Sequence, residues 1–584
     1  MTKVNGDEFA LLKLIRYLRP YQILILLVLT LIFFQSLSEL YLPTLMADII
    51  DKGVIHQDVP YIWKIGSLML LVTAIGTLCS IAASYYSAKI SMSFGKDLRY
   101  KVFSHVENFT LQEFDQFGTA SLITRTTNDI TQVQQVVNMV LRMMVTAPIM
   151  AIGGIIMAYS QDAELTKIFL VAIPILFGVI LLVVWKGIPL FKLVQERLDQ
   201  VNRVLRENLT GIRVIRSFNR TVYEKNRFQR ANADLTDTSI LVNKIMALLM
   251  PVLMLIMNYT VISIIWFGAV RIDEGDMQVG GLMAFIQYAM QIMFSMIMLS
   301  MMFVMIPRAS ASAVRIHEVL QMQPAMQETT SPVAATQKGY LEFKNVTFSY
   351  PGAEVPALKD LSFQVKPGET IAIIGGTGSG KSTLLKLIPR FYEVDSGSIL
   401  IDGINIKEMT LQALREKIGF VPQKAVLFTG TVKENLLFGN ENSTDEELLQ
   451  AVKTAQAYDF VAKMEKSLDS SISQGGTNLS GGQKQRLSIA RALVRKPEIY
   501  LFDDSFSALD YKTDAKLRLA LKQETKNAAL LIVAQRVSTV MHADQIIVLN
   551  EGNVAGIGTH KELMKTCEVY QEIVSSQVSE EELA

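Results

Sequence analysis

Apolar residues are concentrated in the first half of the chain, in six runs that are each long enough to cross a lipid bilayer. A spanning helix needs about 20 consecutive apolar residues, and no comparable run follows residue 306. The pattern therefore predicts an α-helical membrane domain of six spans, followed by a soluble α/β domain. The predicted spans are residues 21–45, 65–86, 139–159, 168–185, 247–267 and 282–306, and the fourth is expected to continue further.

The gaps between these runs alternate in length and in charge. Three gaps are short, and the two long ones, residues 87–138 and 186–246, hold most of the lysines and arginines of this half. The positive-inside rule then predicts that both termini and both long gaps are cytoplasmic. Val194, Leu198 and Val201 recur at helical spacing, so the spanning helices are expected to extend well into the cytoplasm.

Each long gap has a short polar segment near its bend, residues 119–129 in the first and 211–218 in the second. Such a segment is either a docking point that transmits force to the soluble domain or an ordinary surface turn. The sequence leaves both interpretations open for each segment.

Changes of composition along the chain predict five parts. The first is expected to be an amphipathic elbow helix on the membrane surface, with Lys13, Arg16 and Arg19 on one side. The linker is polar and contains proline, and the last part is acidic and expected to be disordered. The parts are the elbow helix 1–20, the membrane domain 21–320, the linker 321–338, the soluble α/β domain 339–576 and the tail 577–584.

Overall composition excludes some classes of protein. Half of the 584 residues are hydrophobic, and the net charge is +1. With so little excess positive charge, nucleic acid is not expected as the main partner. Cys79 and Cys567 are the only cysteines, so the chain can build neither a disulfide framework nor a cysteine zinc site.

A phosphate-binding loop is the first chemical motif. It follows an apolar run typical of a buried parallel strand and precedes a predicted helix, which is the context that such a loop requires. Glycines let successive backbone N–H groups turn toward phosphates. Lys381 is predicted to reach the β- and γ-phosphates of ATP, and Ser382 to bind Mg²⁺. The predicted ATP-binding residues here are Gly375, Gly376, Thr377, Gly378, Ser379, Gly380, Lys381, Ser382 and Thr383.

A second apolar run, residues 499–502, ends in two adjacent carboxylates, Asp503 and Asp504. Asp503 suits the magnesium shell, and Asp504 stands where a side chain should position the attacking water. Aspartate is one methylene shorter than glutamate, which withdraws the carboxylate by roughly 1.5 Å, and a misplacement of about 1 Å can cost around 100-fold in rate. Asp504 therefore either fails in this role or acts through an intervening water.

The string Leu479-Ser480-Gly481-Gly482-Gln483 stands at the start of a predicted helix, which is another anion-binding arrangement. With a preceding phosphate loop, it makes the chain resemble a half-transporter of the ATP-binding cassette (ABC) exporter family over essentially its whole length. It is most similar to the degenerate-site subunit of bacterial heterodimeric multidrug exporters. The resemblance implies the type I ABC exporter fold, with ATP and Mg²⁺ as cofactors.

The resemblance also implies roles for matching residues. Tyr350 would stack on adenine, and Gln423 would contact Mg²⁺ and sense the γ-phosphate. In this family each ATP lies between the phosphate loop of one subunit and the glycine-rich string of the other. The implied contacts to the partner's ATP come from Ser480, Gly481, Gly482, Gln483 and Asp510.

Departures from the family pattern carry a further prediction. Gln535 stands in place of the usual switch histidine, and Asp504 in place of the catalytic glutamate. These two degenerate catalytic positions imply a non-identical partner half-transporter with an intact glutamate and histidine. The partner's site would hydrolyse ATP, while the site of this chain would hold ATP and turn it over slowly.

The cargo is expected to be hydrophobic or amphipathic small molecules, moved through the lipid bilayer of the cell membrane. Flexible methionines are frequent in the sixth run, and polar residues within membrane spans are candidates for a cavity. Arg142 and Arg308 are expected to be structural. Two alternatives remain, a homodimeric lipid or lipopeptide flippase and a regulatory ATP-binding subunit. The predicted cavity residues are Glu39, Asn258, Gln287, Met290 and Gln291.

Overall fold

The computed structural model describes residue 11 and residues 13–323, 326 and 338–577, which divide into two compact units. One unit comprises the described residues up to Glu107 together with Gly118–Met322, and the other Asn108–Phe117 with the described residues after Gln323. Half of the predicted elbow helix, most of the predicted linker and residues 578–584 of the predicted tail lie outside the described residues.

The first unit consists of long helices, and six of its helical segments are long and apolar enough to span a membrane. The prediction of six spans is thus confirmed, and the fourth helix does continue far beyond the apolar run. In chain order the spanning helices are Gln22–Asp48, Val59–Glu107, a helical path from Thr119 to Gln161, Ala163–Thr210, Thr221–Asp273 and Val279–Gln321. The third path contains two π-helical turns, Arg125–Asp129 and Val140–Met144.

The polar segment at residues 119–129 does not lie at the bend of the first long gap, where the sequence predicts it. That stretch is helical and belongs to the membrane unit, and the hydroxyls of Thr124 and Thr127 donate to carbonyls four residues earlier within the helix. The chain instead bends at Asn108–Gly118, where Gly118 adopts a φ of 73° and Leu111–Phe117 forms a short helix of the soluble unit. In the second gap, a short exposed helix, Ile212–Ser217, does lie between two long ones.

A six-stranded sheet forms the centre of the soluble unit, in the order β12-β11-β3-β10-β9-β6. Its strands are parallel except for β12, which pairs antiparallel with β11. A four-stranded antiparallel sheet, β2-β1-β4-β5, and the pair β7–β8 complete the strands. The bounds are β1 Leu341–Phe348, β2 Leu358–Val365, β3 Thr370–Gly375, β4 Ser396–Ile401, β5 Ile404–Asn405, β6 Ile418–Val421, β7 Gly430–Thr431, β8 Ser471–Ile472, β9 Ile499–Asp503, β10 Ala529–Val533, β11 Gln545–Asn550 and β12 Asn553–Gly558.

Strand β3 is buried on both faces because it separates two hydrophobic cores. Ile371 and Ile373 belong to the core shared with the antiparallel sheet, while Ala372 and Ile374 belong to the core against the α-helices. This division follows from the two-residue period of a strand. The helices of this unit include Lys381–Leu387, Leu411–Glu416, Val432–Leu437, Asp445–Thr454, Tyr458–Val461, Gly481–Val494, Tyr511–Glu524, Val537–Val540, His560–Thr566 and Glu568–Ser575.

Candidate nucleotide site

The glycine-rich loop lies between β3 and the helix Lys381–Leu387, at the carboxyl edge of the parallel sheet. Gly378 and Gly380 have φ values of 82° and 98°, a backbone region that glycine occupies without steric cost. At Gly380, an added Cβ would also meet the Ala357 carbonyl oxygen at 2.8 Å. These two positions therefore require glycine for the loop to form.

Lys381 extends over this loop and is buried. Its Nζ donates hydrogen bonds to the carbonyl oxygens of Gly375, at 2.8 Å, and Gly376, at 2.6 Å. Burial lowers the pKa of the Lys381 ammonium, and the nearby charges of Asp504 and Asp503 oppose that shift. That the phosphates of a bound nucleotide supply the counter-charge of this ammonium stays a prediction of the sequence.

Ser382 and Asp503, the predicted magnesium ligands, lie together. The Ser382 hydroxyl donates to Asp503 Oδ1 at 2.8 Å, and burial raises the pKa of the Asp503 carboxyl while this hydrogen bond lowers it. A hydroxyl and a carboxylate suit Mg²⁺, which keeps several waters and takes phosphate oxygens as further ligands. Among the described residues no group of three His, Cys, Asp or Glu side chains could hold a metal alone.

Asp504 is held by two glutamine amides. Its Oδ2 accepts a hydrogen bond from Gln535 Nε2 at 2.9 Å and another from Gln423 Nε2 at 3.3 Å. The backbone has a φ of 46°, a region that Asp and Asn tolerate better than most residues. Burial raises the pKa of the Asp504 carboxyl, and hydrogen bonds with Gln423 and Ser507 oppose the shift. Asp504 and Gln535, the two positions predicted to be degenerate, therefore belong to one hydrogen-bonded group.

Gln577 is a site residue that sequence reasoning missed, because it was assigned to the disordered tail. Its Nε2 donates to the carbonyl oxygen of Gln535 at 2.7 Å, and its Oε1 accepts from the backbone N–H of Val537 at 2.9 Å. The side-chain amide thus holds the loop that carries Gln535 from both sides. An isolated glutamine before an acidic run gave no signal of this contact.

Tyr350, the predicted adenine platform, lies beside the phosphate loop helix. Its hydroxyl shares a hydrogen bond of 3.0 Å with the Thr383 hydroxyl, and its ring packs edge-on against Tyr392 at 5.4 Å between centroids. The Tyr392 hydroxyl donates to Asp115 Oδ2 at 3.0 Å, and burial is the main cause that raises the pKa of Tyr392. Tyr392 therefore links the short helix Leu111–Phe117 to the predicted adenine site, a contact that the sequence did not indicate.

The predicted in-trans residues occupy two helix N-termini. Ser480 caps the helix Gly481–Val494 in a reciprocal pair with Gln483, whose N–H donates to Ser480 Oγ and whose Oε1 accepts from the Ser480 N–H. Asp510 caps Tyr511–Glu524 through Thr513, whose hydrogen bonds lower the pKa of the Asp510 carboxyl. Among the described residues, no hydrogen bond joins the 480–483 turn to the phosphate loop of the same chain.

The predicted cavity residues of the membrane unit are only partly brought together. Glu39 Oε1 accepts from Gln35 Nε2 at 2.9 Å, and the Glu39 carbonyl oxygen accepts from Gln291 Nε2 at 3.3 Å. Gln287 and Met290 lie on an exposed face of the sixth helix. Asn258 is exposed on the fifth helix, and among the described residues it makes no hydrogen bond with the others.

Two family profiles match the chain in the order of the two units. The profile described as "ABC transporter transmembrane region" matches residues 25–296, and the profile "ABC transporter" matches residues 358–507. The first half thus has the sequence pattern of an ABC membrane region, and the second that of an ABC nucleotide-binding domain.

Full-length relatives give the same assignment. An uncharacterized ABC transporter ATP-binding protein of Mycobacterium tuberculosis is 43% identical over 97% of this chain and 98% of its own. One from Bacillus subtilis is 42% identical over 97% and 99%. An ATP-dependent lipid A-core flippase of Pseudomonas fluorescens is 31% identical over 94% of each chain.

A solved structure shares the fold. The structure of a bacterial Atm1-family ABC exporter with ATP bound aligns with a TM-score of 0.79, covering 96% of this chain and 99% of that one at 24% identity. This likeness establishes the exporter fold, with six spans before the nucleotide-binding domain.

Proposed function

Since this chain belongs to the ABC exporter family as a half-transporter, we propose that it is the degenerate-site subunit of a heterodimeric exporter. In this proposal, the partner is a second, non-identical half-transporter with an intact catalytic glutamate and switch histidine. ATP closes the two nucleotide-binding domains, and the long cytoplasmic helices relay that closure to a cavity that opens outward.

The observation that supports this proposal is the pair of hydrogen bonds on Asp504. A base that positions the attacking water must present a carboxylate oxygen within about 3 Å of that water. Here Oδ2 accepts from both Gln535 and Gln423, and the aspartate side chain is one methylene too short. One oxygen of the carboxylate is therefore engaged by neutral amides, and the shorter side chain would withdraw the carboxylate from the reacting phosphate.

Gln535 weakens the site in a second way. Glutamine can donate a hydrogen bond to a γ-phosphate, but its amide cannot become a cation, so it offers less stabilisation to the charge that develops in phosphoryl transfer. Lys381, Ser382 and Asp503 keep the geometry for holding ATP with magnesium. When bound, Mg²⁺ would neutralise phosphate charge between Ser382 and Asp503. The site would retain ATP and hydrolyse it slowly.

Hydrophobic or amphipathic compounds are the proposed cargo, which makes multidrug efflux the proposed physiological role. We place the chain in the cell membrane with both termini in the cytoplasm, because lysine and arginine are concentrated in the two long gaps. Polar atoms within the spans, such as the buried Gln291 Oε1 that has no hydrogen-bond partner among the described residues, supply candidate contacts for cargo.

Hydrolysis of ATP by this chain alone, purified in lipid nanodiscs, tests the proposal. Lys381→Ala serves as the blank, because it removes the phosphate-binding ammonium. The proposal expects turnover no higher than the blank without a partner. Turnover well above the blank would mean that Asp504 and Gln535 suffice, and a homodimeric exporter would replace the heterodimer.

A homodimeric lipid flippase is the second candidate. The similarity over nearly the whole chain to a protein named as a lipid A-core flippase favours it. Under this alternative, ATPase activity of the chain alone would depend on the lipid headgroup. Stimulation by added hydrophobic compounds in a constant lipid would favour multidrug efflux instead.

A further inference from the structure

The membrane unit contains a cavity of about 360 Å³ between its first, second, third and sixth spanning helices. Gln35, Asn138 and Thr146 line it together with aliphatic and methionine side chains, and Arg142 is the only charged residue in its described lining. Helix interfaces in a bilayer are ordinarily filled by small or apolar side chains. A cavity with one cation and two amides therefore differs from an ordinary packing gap.

Arg142 has no counter-charge within the described part of this unit. No ion pair among the described residues includes Arg142. The carboxylate of Glu39, one helical turn beyond Gln35, accepts a hydrogen bond from the Gln35 amide and is not paired with Arg142. The Asn138 Oδ1 accepts from the Ser87 hydroxyl at 2.8 Å, which leaves the Asn138 N–H groups to donate toward the cavity. The Arg142 side chain is also exposed, so its guanidinium is accessible to an anionic ligand.

The distance of Arg142 from the short-loop end of the third helix matches the level of a lipid headgroup. It lies in the π-helical turn Val140–Met144, and π turns occur frequently at functional sites. The helical path from Arg142 to Gln161, at the short-loop end, measures about 28 Å at roughly 1.5 Å per residue. The hydrocarbon core is about 30 Å thick, so Arg142 lies at the opposite boundary, where the proposed topology places the inner-leaflet headgroups.

We infer that this cavity binds the anionic headgroup of an amphipathic molecule, with Arg142 as its counter-charge. The guanidinium suits a phosphate or carboxylate because it can donate two parallel hydrogen bonds, and the side-chain amide of Asn138 supplies further N–H donors. Met139, Met143 and Met298 offer an adaptable apolar wall for the tail. The inference rests on the proposed export function and narrows its cargo to anionic amphipaths.

Binding of two probes with the same tail tests the charge preference. Radiolabelled dodecyl phosphate and dodecyltrimethylammonium are added separately to the full chain in phosphatidylcholine nanodiscs without ATP, and binding to empty nanodiscs is subtracted. The phosphate probe should bind at least about tenfold more tightly, because charge-assisted hydrogen bonds are the stronger class. Equal binding of the two probes would overturn the inference.

Variants of Arg142 test whether the cavity causes the preference for the anionic probe. Arg142→Gln should weaken phosphate binding roughly tenfold, Arg142→Lys should retain most of it, and Arg142→Glu should reverse the preference toward the cation. Arg308→Gln is the matched control, since Arg308 is exposed on the sixth helix and does not line the cavity. If Arg142→Gln binds dodecyl phosphate as tightly as the unchanged protein, the guanidinium merely reaches the membrane–water interface, which would overturn the inference. If Arg308→Gln loses as much affinity as Arg142→Gln, the effect of charge is non-specific.

Inorganic phosphate distinguishes two sources of the anion. If millimolar phosphate fails to displace dodecyl phosphate, the amphipath is supported as the ligand, and full displacement would overturn that assignment in favour of a free anion. None of these measurements uses ATP or a partner. A failure of the degenerate-site proposal would therefore appear only in the ATPase assay, and a failure of this inference only in the binding assay.

Discussion

The amides of Gln535 and Gln423 share one oxygen of Asp504, so the two departures at this site act together. Asp504→Glu restores the missing methylene but leaves the Gln535 hydrogen bond, and it places a longer residue at a φ of 46°, where most side chains incur strain of about 1–2 kcal/mol. Gln535→His removes that hydrogen bond and leaves the carboxylate too short. We expect each single change to have a small effect.

The double variant Asp504→Glu with Gln535→His should raise turnover at this site by about ten- to a hundredfold, because a misplacement of roughly 1 Å costs about that much. ADP formation under single-turnover conditions measures the change. The same pair of changes on a Lys381→Ala background is the control and should stay inactive. A flat response in the assembled transporter would remove the degenerate site as the explanation of slow hydrolysis.

The contact between Gln577 and the loop that carries Gln535 can be tested through a single side chain. Gln577→Ala removes the acceptor of the Val537 N–H and the donor to the Gln535 carbonyl. Because a hydrogen bond contributes about 1 kcal/mol, amide exchange at Val537 should accelerate roughly fivefold. Hydrogen–deuterium exchange measures this rate.

Gln571→Ala is the matched control for that experiment. Gln571 lies on the helix Glu568–Ser575, which ends two residues before Gln577, and its Nε2 donates to the Met564 carbonyl oxygen instead. Exchange at Val537 should be unchanged in this variant. If both variants accelerate exchange equally, loosening of the helix rather than the Gln577 contact is responsible.

Between elements, Arg315 of the sixth helix holds the π turn Arg125–Asp129. Its Nε donates to Asp129 Oδ2 at 2.7 Å, and Ser312 donates to Oδ1 of the same buried carboxylate. Arg315→Ala would leave this carboxylate without its cation. Since the arginine side chain is 44% exposed, we expect a loss of only about 1–2 kcal/mol, seen as a lower midpoint of thermal unfolding.

Two variants test the origin of that loss. Asp129→Asn combined with Arg315→Ala should recover part of the stability, because it removes the buried charge. Arg308→Ala, an exposed change on the same helix, should leave the midpoint unchanged. If the double variant is as unstable as Arg315→Ala alone, lost packing of the arginine stem would account for the effect.

Elements were predictable from the sequence where one local pattern decided them. The six spans follow from continuous apolar runs, and the loop from Gly375 to Ser382 follows from a motif that needs only its own strand and helix. The bend at Asn108–Gly118 was missed because Ser and Thr at 119–129 read as a turn, whereas their hydroxyls bond within a helix. Contacts between distant residues, such as Tyr392 with Asp115, left no local pattern to find.

In the whole transporter, the proposed pairing assigns two motifs of this chain to two ATP sites with unequal rates of hydrolysis. The partner's competent site would use the Ser480–Gln483 turn of this chain, whereas the slow site would use its phosphate loop. Gly481 and Gly376 provide a matched pair of positions, since an added Cβ at either meets no atom within 4 Å. The same substitution at both therefore compares the two sites without disturbing the fold.

Gly481→Asp should lower ATP hydrolysis of the assembled transporter by more than about tenfold, because its carboxylate would face the γ-phosphate in the competent site and remove the stabilisation that this helix N-terminus supplies. Gly376→Asp should lower it by less than about threefold, since the slow site contributes little to turnover. Steady-state phosphate release measures both. In a homodimer of either variant, each ATP site would contain one copy of the substitution. Equal losses of ATP hydrolysis in the two variants would therefore contradict a pair of unequal sites and favour two identical subunits.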